Sequence, residues 1–386
     1  MIRRVLHTAL LRAATKLPVV TLTGPRQSGK TTLCRSAFPD KAYVNLEPLD
    51  VREFARTDPR GFLAEVRQGA ILDEIQNVPE LLSYIQAEVD EDPSPGRFIL
   101  TGSQQLAANE AVSQTLAGRT AILHLLPFSL DERRQTDSWE EDLWVDVFRG
   151  GYPRIYDRRL DPARWYADYI TTYVERDVRQ VKDIGELRAF RTFPALAAGR
   201  TAQEINLSAL GGDAGVSHNT ARAWLSVLDA SFLITSIPAW HRNVRKQIIK
   251  APKLHFLDTG IACSLLGIRH PDQLRSHPLR GPLFESWVAA EILKALLHSG
   301  RHPDLKHYRE SRGAEIDLVV QQPGKLHVIE CRSGATIDAS FLDSLSQFRS
   351  SRPALVYGGR ESHPRRAIPV YSWKDIDRLG RQIAAE

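Results

Sequence analysis

The chain has 386 residues, 42% hydrophobic and 25% charged, with 51 Lys and Arg against 46 Asp and Glu for a formal charge of +5. That length and composition suit two or three ordinary cores, and the modest basic excess permits nucleic-acid binding without establishing it. Its three cysteines, Cys34, Cys263 and Cys331, are isolated and lack metal-ligand spacing, which argues against a zinc module and for a reducing, cytoplasmic setting.

In chain order, Met1 to Arg4 precede a short apolar stretch broken by His7 and Arg12, which reads as an amphipathic helix rather than a secretory leader. No apolar run approaches about eighteen residues, so no membrane span is expected. Val19 to Thr23 reads as a buried strand and Thr31 to Phe38 as a helix. Between them lies Gly24-Pro25-Arg26-Gln27-Ser28-Gly29-Lys30-Thr31-Thr32, with two glycines, a lysine and a hydroxyl at the spacing of a phosphate-binding loop. The glycines let successive N–H groups turn inward, and the following helix aims its positive end at the same point. Lys30 is expected to reach the terminal phosphates and Thr31 to bind magnesium. The alternative, a glycine turn that merely caps a helix, does not account for the full spacing.

Ala70 to Leu72 leads an apolar strand into Asp73-Glu74. Asp73 is expected to hold the magnesium shell, and Glu74 to orient or deprotonate the attacking water. A third strand, Arg97 to Thr101, delivers Ser103 as a sensor of the terminal phosphate, with Thr101 a weaker candidate; a plain polar turn is the alternative. From Trp165 to Lys182, Trp165, Tyr169, Tyr173 and Val174 share one apolar side, read as core rather than as a base-stacking face.

Ala202 to Ile237 reads as a winged helix-turn-helix: a helix through Leu210, a glycine turn at 211–215, an N-cap at Ser217, a helix through Asp229 and a strand from Ser231 to Thr235. Early on its second helix, His218, Asn219 and Arg222 are candidates to contact DNA. The run from His241 to Lys250 adds Arg242, Arg245 and Lys246 as candidate phosphate contacts, or simply a solvated cationic face. Further on, Glu315 to Val320 and Lys325 to Arg332 read as paired strands about Pro323-Gly324, with Asp317 opposite Glu330. Those two carboxylates, with Glu285 from a preceding helix, are expected to share a magnesium ion; the bland alternative is an acidic, solvated hairpin face.

Taken together, the phosphate loop, Asn45 to Glu47, Asp73 to Gln76, Pro79 to Leu82, Thr101 to Ser103, Leu116 to Arg119 and Gly150 to Pro153 resemble a prokaryotic AAA-type P-loop ATPase. Tyr173 to Val178, Phe256 to Gly260, Gly281 to Glu285 and Gly313 to Asp317 extend the likeness to a group in which that core is fused to a C-terminal domain of unknown function. The resemblance implies an oligomer, commonly a ring, in which Arg119 acts across a subunit edge on ATP; its alternative is a helix-terminal arginine satisfying carbonyls. It also implies a restriction-endonuclease-like fold whose pattern is an aspartate, then a glutamate, one residue and a lysine. Here Arg332 stands in the lysine position, and arginine cannot serve as a base at ordinary pH, so an inactive or impaired nuclease fold is expected.

The expected whole is an α/β protein: an AAA-type ATPase domain over 1–153, a helical lid or connector over 154–200, a winged-helix region over 201–274 and a restriction-endonuclease-like domain over 275–386. Its expected activity is hydrolysis of ATP with Mg2+, coupled to binding or remodelling of DNA by a homo-oligomer. An ATP-gated magnesium nuclease and a nucleotide-controlled switch with a protein partner are the alternatives.

Overall fold

A computed structural model describes the chain except residues 1, 104–114, 175–186, 242–249, 311–314, 347, 349 and 350. The chain divides into two compact units: 1–127 with 230–232 and 297–300, and 128–229 with 233–296 and 301–386.

In the first unit, β1 (Val19–Thr23), β2 (Ala42–Asn45), β3 (Ala70–Asp73), β4 (Phe98–Gly102) and β5 (Thr120–His124) form one parallel sheet in the order β2-β3-β4-β1-β5. Its central strands are buried along their whole length because both faces are covered, so they carry continuous apolar runs. The two-residue period then splits each strand between two cores. Val19, Leu72, Phe98 and Leu100 meet Phe62, Leu82 and Ile85 from helices α4 and α5. Val20, Leu22, Ile71 and Ile99 meet Leu10, Leu33 and Cys34 from α1 and α2. Helices described in this unit include α1 (His7–Ala14), α2 (Lys30–Ala37), α3 (Leu49–Thr57), α4 (Pro59–Glu65) and α5 (Leu81–Glu91). Because β4 lies between β1 and β3, three carboxyl ends converge: the phosphate loop, Asp73-Glu74 and Ser103.

The expected first domain runs to 153, but residues 128–153 group with the second unit. The reason is Arg133, fully buried, whose guanidinium donates to Asp146 (3.0 and 2.7 Å) and to Glu291 (3.0 Å). Nearby, one carboxylate explains two of the quoted motifs at once. Asp258 accepts from Gly151 N (2.7 Å), Tyr166 Oη (2.7 Å) and Gly260 N (3.0 Å), tying the Gly-Gly-Tyr-Pro segment to Asp258-Thr259-Gly260. Tyr152, Tyr166, Tyr169 and Tyr173 are buried and in ring contact around half-buried Trp165, so these aromatics are core, as expected.

Helix Leu187–Ala198 is followed by β6 (Gln203–Glu204), helices Leu207–Ala214 and His218–Ala230, β7 (Ile234–Ile237) and β8 (Lys253–Phe256). The three strands form an antiparallel sheet in the order β6-β8-β7. Two expected boundaries move. The first of these helices continues past Leu210 to Ala214, capped by Asn206, and only Gly215, at φ 73°, makes the turn. The strand lies at Ile234–Ile237 rather than 231–235, because helix His218–Ala230 is one residue longer and Phe232 turns at φ 57°. Ser217 caps that helix through Thr220 N (3.1 Å), as expected.

Beyond helix Arg280–His298, strands β9 (Leu305–Arg309), β10 (Glu315–Gln322), β11 (Lys325–Arg332), β12 (Arg352–Tyr357), β13 (His363–Arg365) and β14 (Ile368–Ser372) form a mixed sheet in the order β13-β14-β12-β11-β10-β9. The β10–β11 hairpin turns at Pro323-Gly324 with Leu318 opposite Ile329, and that register carries Asp317 towards Glu330. Among the described residues, no helix is long and apolar enough to cross a membrane.

Candidate functional site

The loop from Gly24 to Gly29 closes tightly on the sheet. Gly24 lies at φ 151°, and a Cβ there would come within 2.1 Å of Leu125 O; Gly29 takes the left-handed position, φ 94°, directly before α2. Arg4, from the segment before α1, donates to Ser28 O (2.6 Å) and Leu126 O (2.7 Å) and pins the loop from outside. Sequence reading gave Arg4 no such role.

Lys30 is buried, and its ammonium donates to the loop's own carbonyls, Gly24 O (2.9 Å) and Pro25 O (2.8 Å). Burial pulls its pKa from 10.5 down to about 8, more than the charges of Glu74 and Asp73 restore. A desolvated cation held by neutral carbonyls is electrostatically unfinished, and a phosphate anion completes it. Ser28 Oγ, buried without a hydrogen-bond partner in the same loop, is a second group awaiting one. Residues 24–32 thus fit a nucleotide's phosphates.

Asp73 gathers three donors. Its Oδ2 accepts from Thr31 Oγ1 (2.7 Å) and Tyr43 Oη (2.8 Å), and its Oδ1 accepts from the Thr101 hydroxyl. Burial, then the bond to Asp73, pushes the Tyr43 phenol above its ordinary value, so Tyr43 remains a donor. Thr31 and Asp73, already joined, are the pair that would hold a magnesium ion and give it to the phosphates as a charge clamp. Thr101, weighed as a phosphate sensor, is instead spent on orienting Asp73.

Glu74 follows directly after β3 at a left-handed φ of 60°. Gln76 Nε2 donates to Glu74 Oε2 and also reaches Ser103 Oγ at 3.3 Å. The structure therefore brings together Lys30, Thr31, Asp73, Glu74 and Ser103. Arg119 stands elsewhere in the unit, forked onto Asp90 (2.5 and 2.9 Å) with one N–H to Ala117 O (3.1 Å). Its carbonyl contact fits the helix-terminal alternative, and its side chain is a third exposed.

The second unit holds the other carboxylates, expected to share a magnesium ion, and there cationic side chains stand among them. Lys253 from β8, buried, puts its ammonium 3.0 Å from Glu285, 2.9 Å from Glu315 and 3.6 Å from Asp317. Arg332 pairs with Glu330 (2.5 Å), and Asp317 accepts from Cys331 N (2.8 Å). Burial and then Asp317 push Glu285 and Glu330 well above the usual carboxylate range. Among the described residues, no three His, Cys, Asp or Glu side chains are disposed to hold a metal. Glu330 departs from the solvated-hairpin alternative, being 3% exposed, whereas Arg332 is 37% exposed. His218, Asn219 and Arg222 are exposed at the start of their helix, and His218 borders a cleft of about 750 Å3 with Asn206, Lys253, Arg309 and Glu315. Arg242, Arg245 and Lys246 lie outside the described residues.

Residues 16–133 match the AAA domain, 140–272 a domain of unknown function (DUF8612) and 280–375 another (DUF4143). The chain is 32% identical over 369 residues to the uncharacterized proteins Rv2008c of Mycobacterium tuberculosis and Mb2031c of Mycobacterium bovis, covering 94% of this chain and 81% of each of theirs. The chain belongs to their family. Its AAA match contains the loop, Asp73, Glu74, Ser103 and Arg119, so the first unit is an AAA-type P-loop ATPase core. Among solved structures, the Walker-type ATPase of Pyrococcus abyssi is similar at 16% identity and a TM-score of 0.44, covering 67% of this chain and 94% of that one. DnaA of Aquifex aeolicus, bound to AMPPCP, is similar at 13% and 0.30, covering 58% and 86%.

Proposed function

We propose that the protein is an ATPase that couples ATP binding and hydrolysis to binding or remodelling of DNA, working as a homo-oligomer. The observation that carries the ATPase reading is the buried Lys30 ammonium, held by the loop carbonyls of Gly24 and Pro25 beside the Thr31–Asp73 pair. In this reading the loop N–H groups and Lys30 bind the phosphates, Thr31 and Asp73 hold Mg2+, and Glu74 takes the proton of the attacking water. Ser103 senses the terminal phosphate, and Arg119 leaves Asp90 to serve a neighbouring subunit's nucleotide.

DNA is favoured as the target by the two helices Leu207–Ala214 and His218–Ala230, which fall in the chain between strands of an antiparallel three-stranded sheet, the order of a winged helix. Exposed His218, Asn219 and Arg222 begin its second helix. The sheet β9–β14 with helix Arg280–His298 supports a restriction-endonuclease-like reading of the last domain, used for DNA contact or assembly. Active cleavage is the weaker reading, because Lys253 and Arg332 already neutralise the carboxylates a metal would use. The test is ATP turnover alone and with single-stranded, duplex and branched DNA and with RNA. The proposal expects one DNA form to accelerate turnover and Arg222→Ala to reduce that acceleration; turnover indifferent to every DNA favours a protein-directed switch.

A further inference from the structure

Gln76 is absorbed by none of the roles above, yet it touches two of the residues that carry them. It lies on a single 3-10 turn, Ile75–Asn77, directly after Glu74. Its amide nitrogen donates to Glu74 Oε2 and to Ser103 Oγ (3.3 Å), bridging the carboxyl ends of β3 and β4. Its carbonyl oxygen, Oε1, is buried without a partner. An amide with its donors directed at functional groups and its acceptor unspent is costly as mere packing, since a buried polar atom left unpaired keeps its desolvation penalty.

Resting on the ATPase reading, we infer that Gln76 is a positioning residue for hydrolysis: it fixes one oxygen of Glu74, leaves the other to accept the proton of water, and ties that geometry to Ser103. The chemistry explains why a glutamine is needed. A glutamate at 76 has the same reach and volume but no N–H, and it places a second negative charge against Glu74. An asparagine keeps the amide but is one methylene shorter.

The experiment is single-turnover hydrolysis of ATP with Mg2+, together with nucleotide affinity, for the full chain and its Glu74→Gln, Gln76→Glu, Gln76→Ala, Ser103→Ala and Glu74→Gln/Gln76→Glu variants. Expected are a loss of turnover of about ten- to a hundredfold in Gln76→Glu, at least as large as in Gln76→Ala, and nucleotide affinity within about twofold of the parent, which also reports an intact fold. In the Glu74→Gln background the second substitution changes turnover by less than about twofold, because the group it positions is gone. Gln76→Glu as fast as the parent beside a slow Glu74→Gln overturns the inference alone. So does a Gln76 effect that persists undiminished without Glu74. Glu74→Gln as fast as the parent overturns the ATPase assignment of Glu74, and the inference with it.

Discussion

Two buried lysines in this chain sit beside carboxylates and meet opposite fates. Lys30 in the first unit faces neutral carbonyls, and burial brings its pKa down to about 8. Lys253 in the second lies within ion-pair distance of Glu285, Glu315 and Asp317, whose charges outweigh its burial and push its pKa up. At the first site the nearby carboxylates, Asp73 and Glu74, do not restore what burial takes from the lysine; the second has already supplied its own countercharge. A site that must bind and release a charged ligand has to be left electrostatically incomplete, whereas an internally neutralised cluster serves as structure.

The largest effect expected from this contrast is on Lys253. Lys253→Ala leaves buried Asp317 and half-buried Glu285 and Glu315 without their cation and should destabilise the second unit by about 3–5 kcal/mol in denaturant unfolding, while nucleotide affinity of the folded protein is retained. Unchanged stability breaks the comparison. Glu74→Gln should slow turnover by roughly two to three orders of magnitude and leave ATP bound, as seen by trapping of labelled nucleotide.

pH sharpens the same contrast in two directions. Because a bound triphosphate raises the Lys30 pKa above its free value near 8, ATP affinity should fall as pH rises past about 8, by up to tenfold per unit. In the second unit, Glu285 and Glu330 have folded-state values raised above their unfolded ones. Their contribution to stability is therefore complete below about pH 4 and is lost as pH climbs through the raised values. Glu330→Gln should flatten that decline, measured by thermal unfolding from pH 5 to 9; an unaltered slope contradicts the assignment. The smallest effect belongs to Arg119. Asp90→Ala frees an exposed arginine, and turnover per subunit should change with protein concentration only if Arg119 works across an interface.

What could be read from sequence was what is local in sequence. The phosphate loop, the Asp73-Glu74 pair and the β10–β11 hairpin are each contiguous, with side chains placed by a strand or a turn. The partners that decide the chemistry were not. Tyr43 reaches Asp73 from the neighbouring strand, Gln76 reaches Ser103 across two strand ends, and Asp90 meets Arg119 from α5. Lys253 gave the one signal open to a reader. With His255 it puts ionisable groups at alternate positions of a short apolar strand, both buried, where charge survives only beside countercharge. The glycine turn was misplaced because Gly211 and Gly212 read as breakers, although a helix tolerates them at about 1 kcal/mol each relative to alanine.

The central claim is that the first unit grips a triphosphate through Lys30 and consumes it. Calorimetric titration of ATP with Mg2+ into the parent chain and Lys30→Ala, paired with phosphate release from the same samples, tests it most directly. Saturable binding and phosphate release by the parent, both lost in Lys30→Ala, are the predicted result; a parent that neither binds nor hydrolyses ATP, or a Lys30→Ala chain that does both equally well, contradicts it.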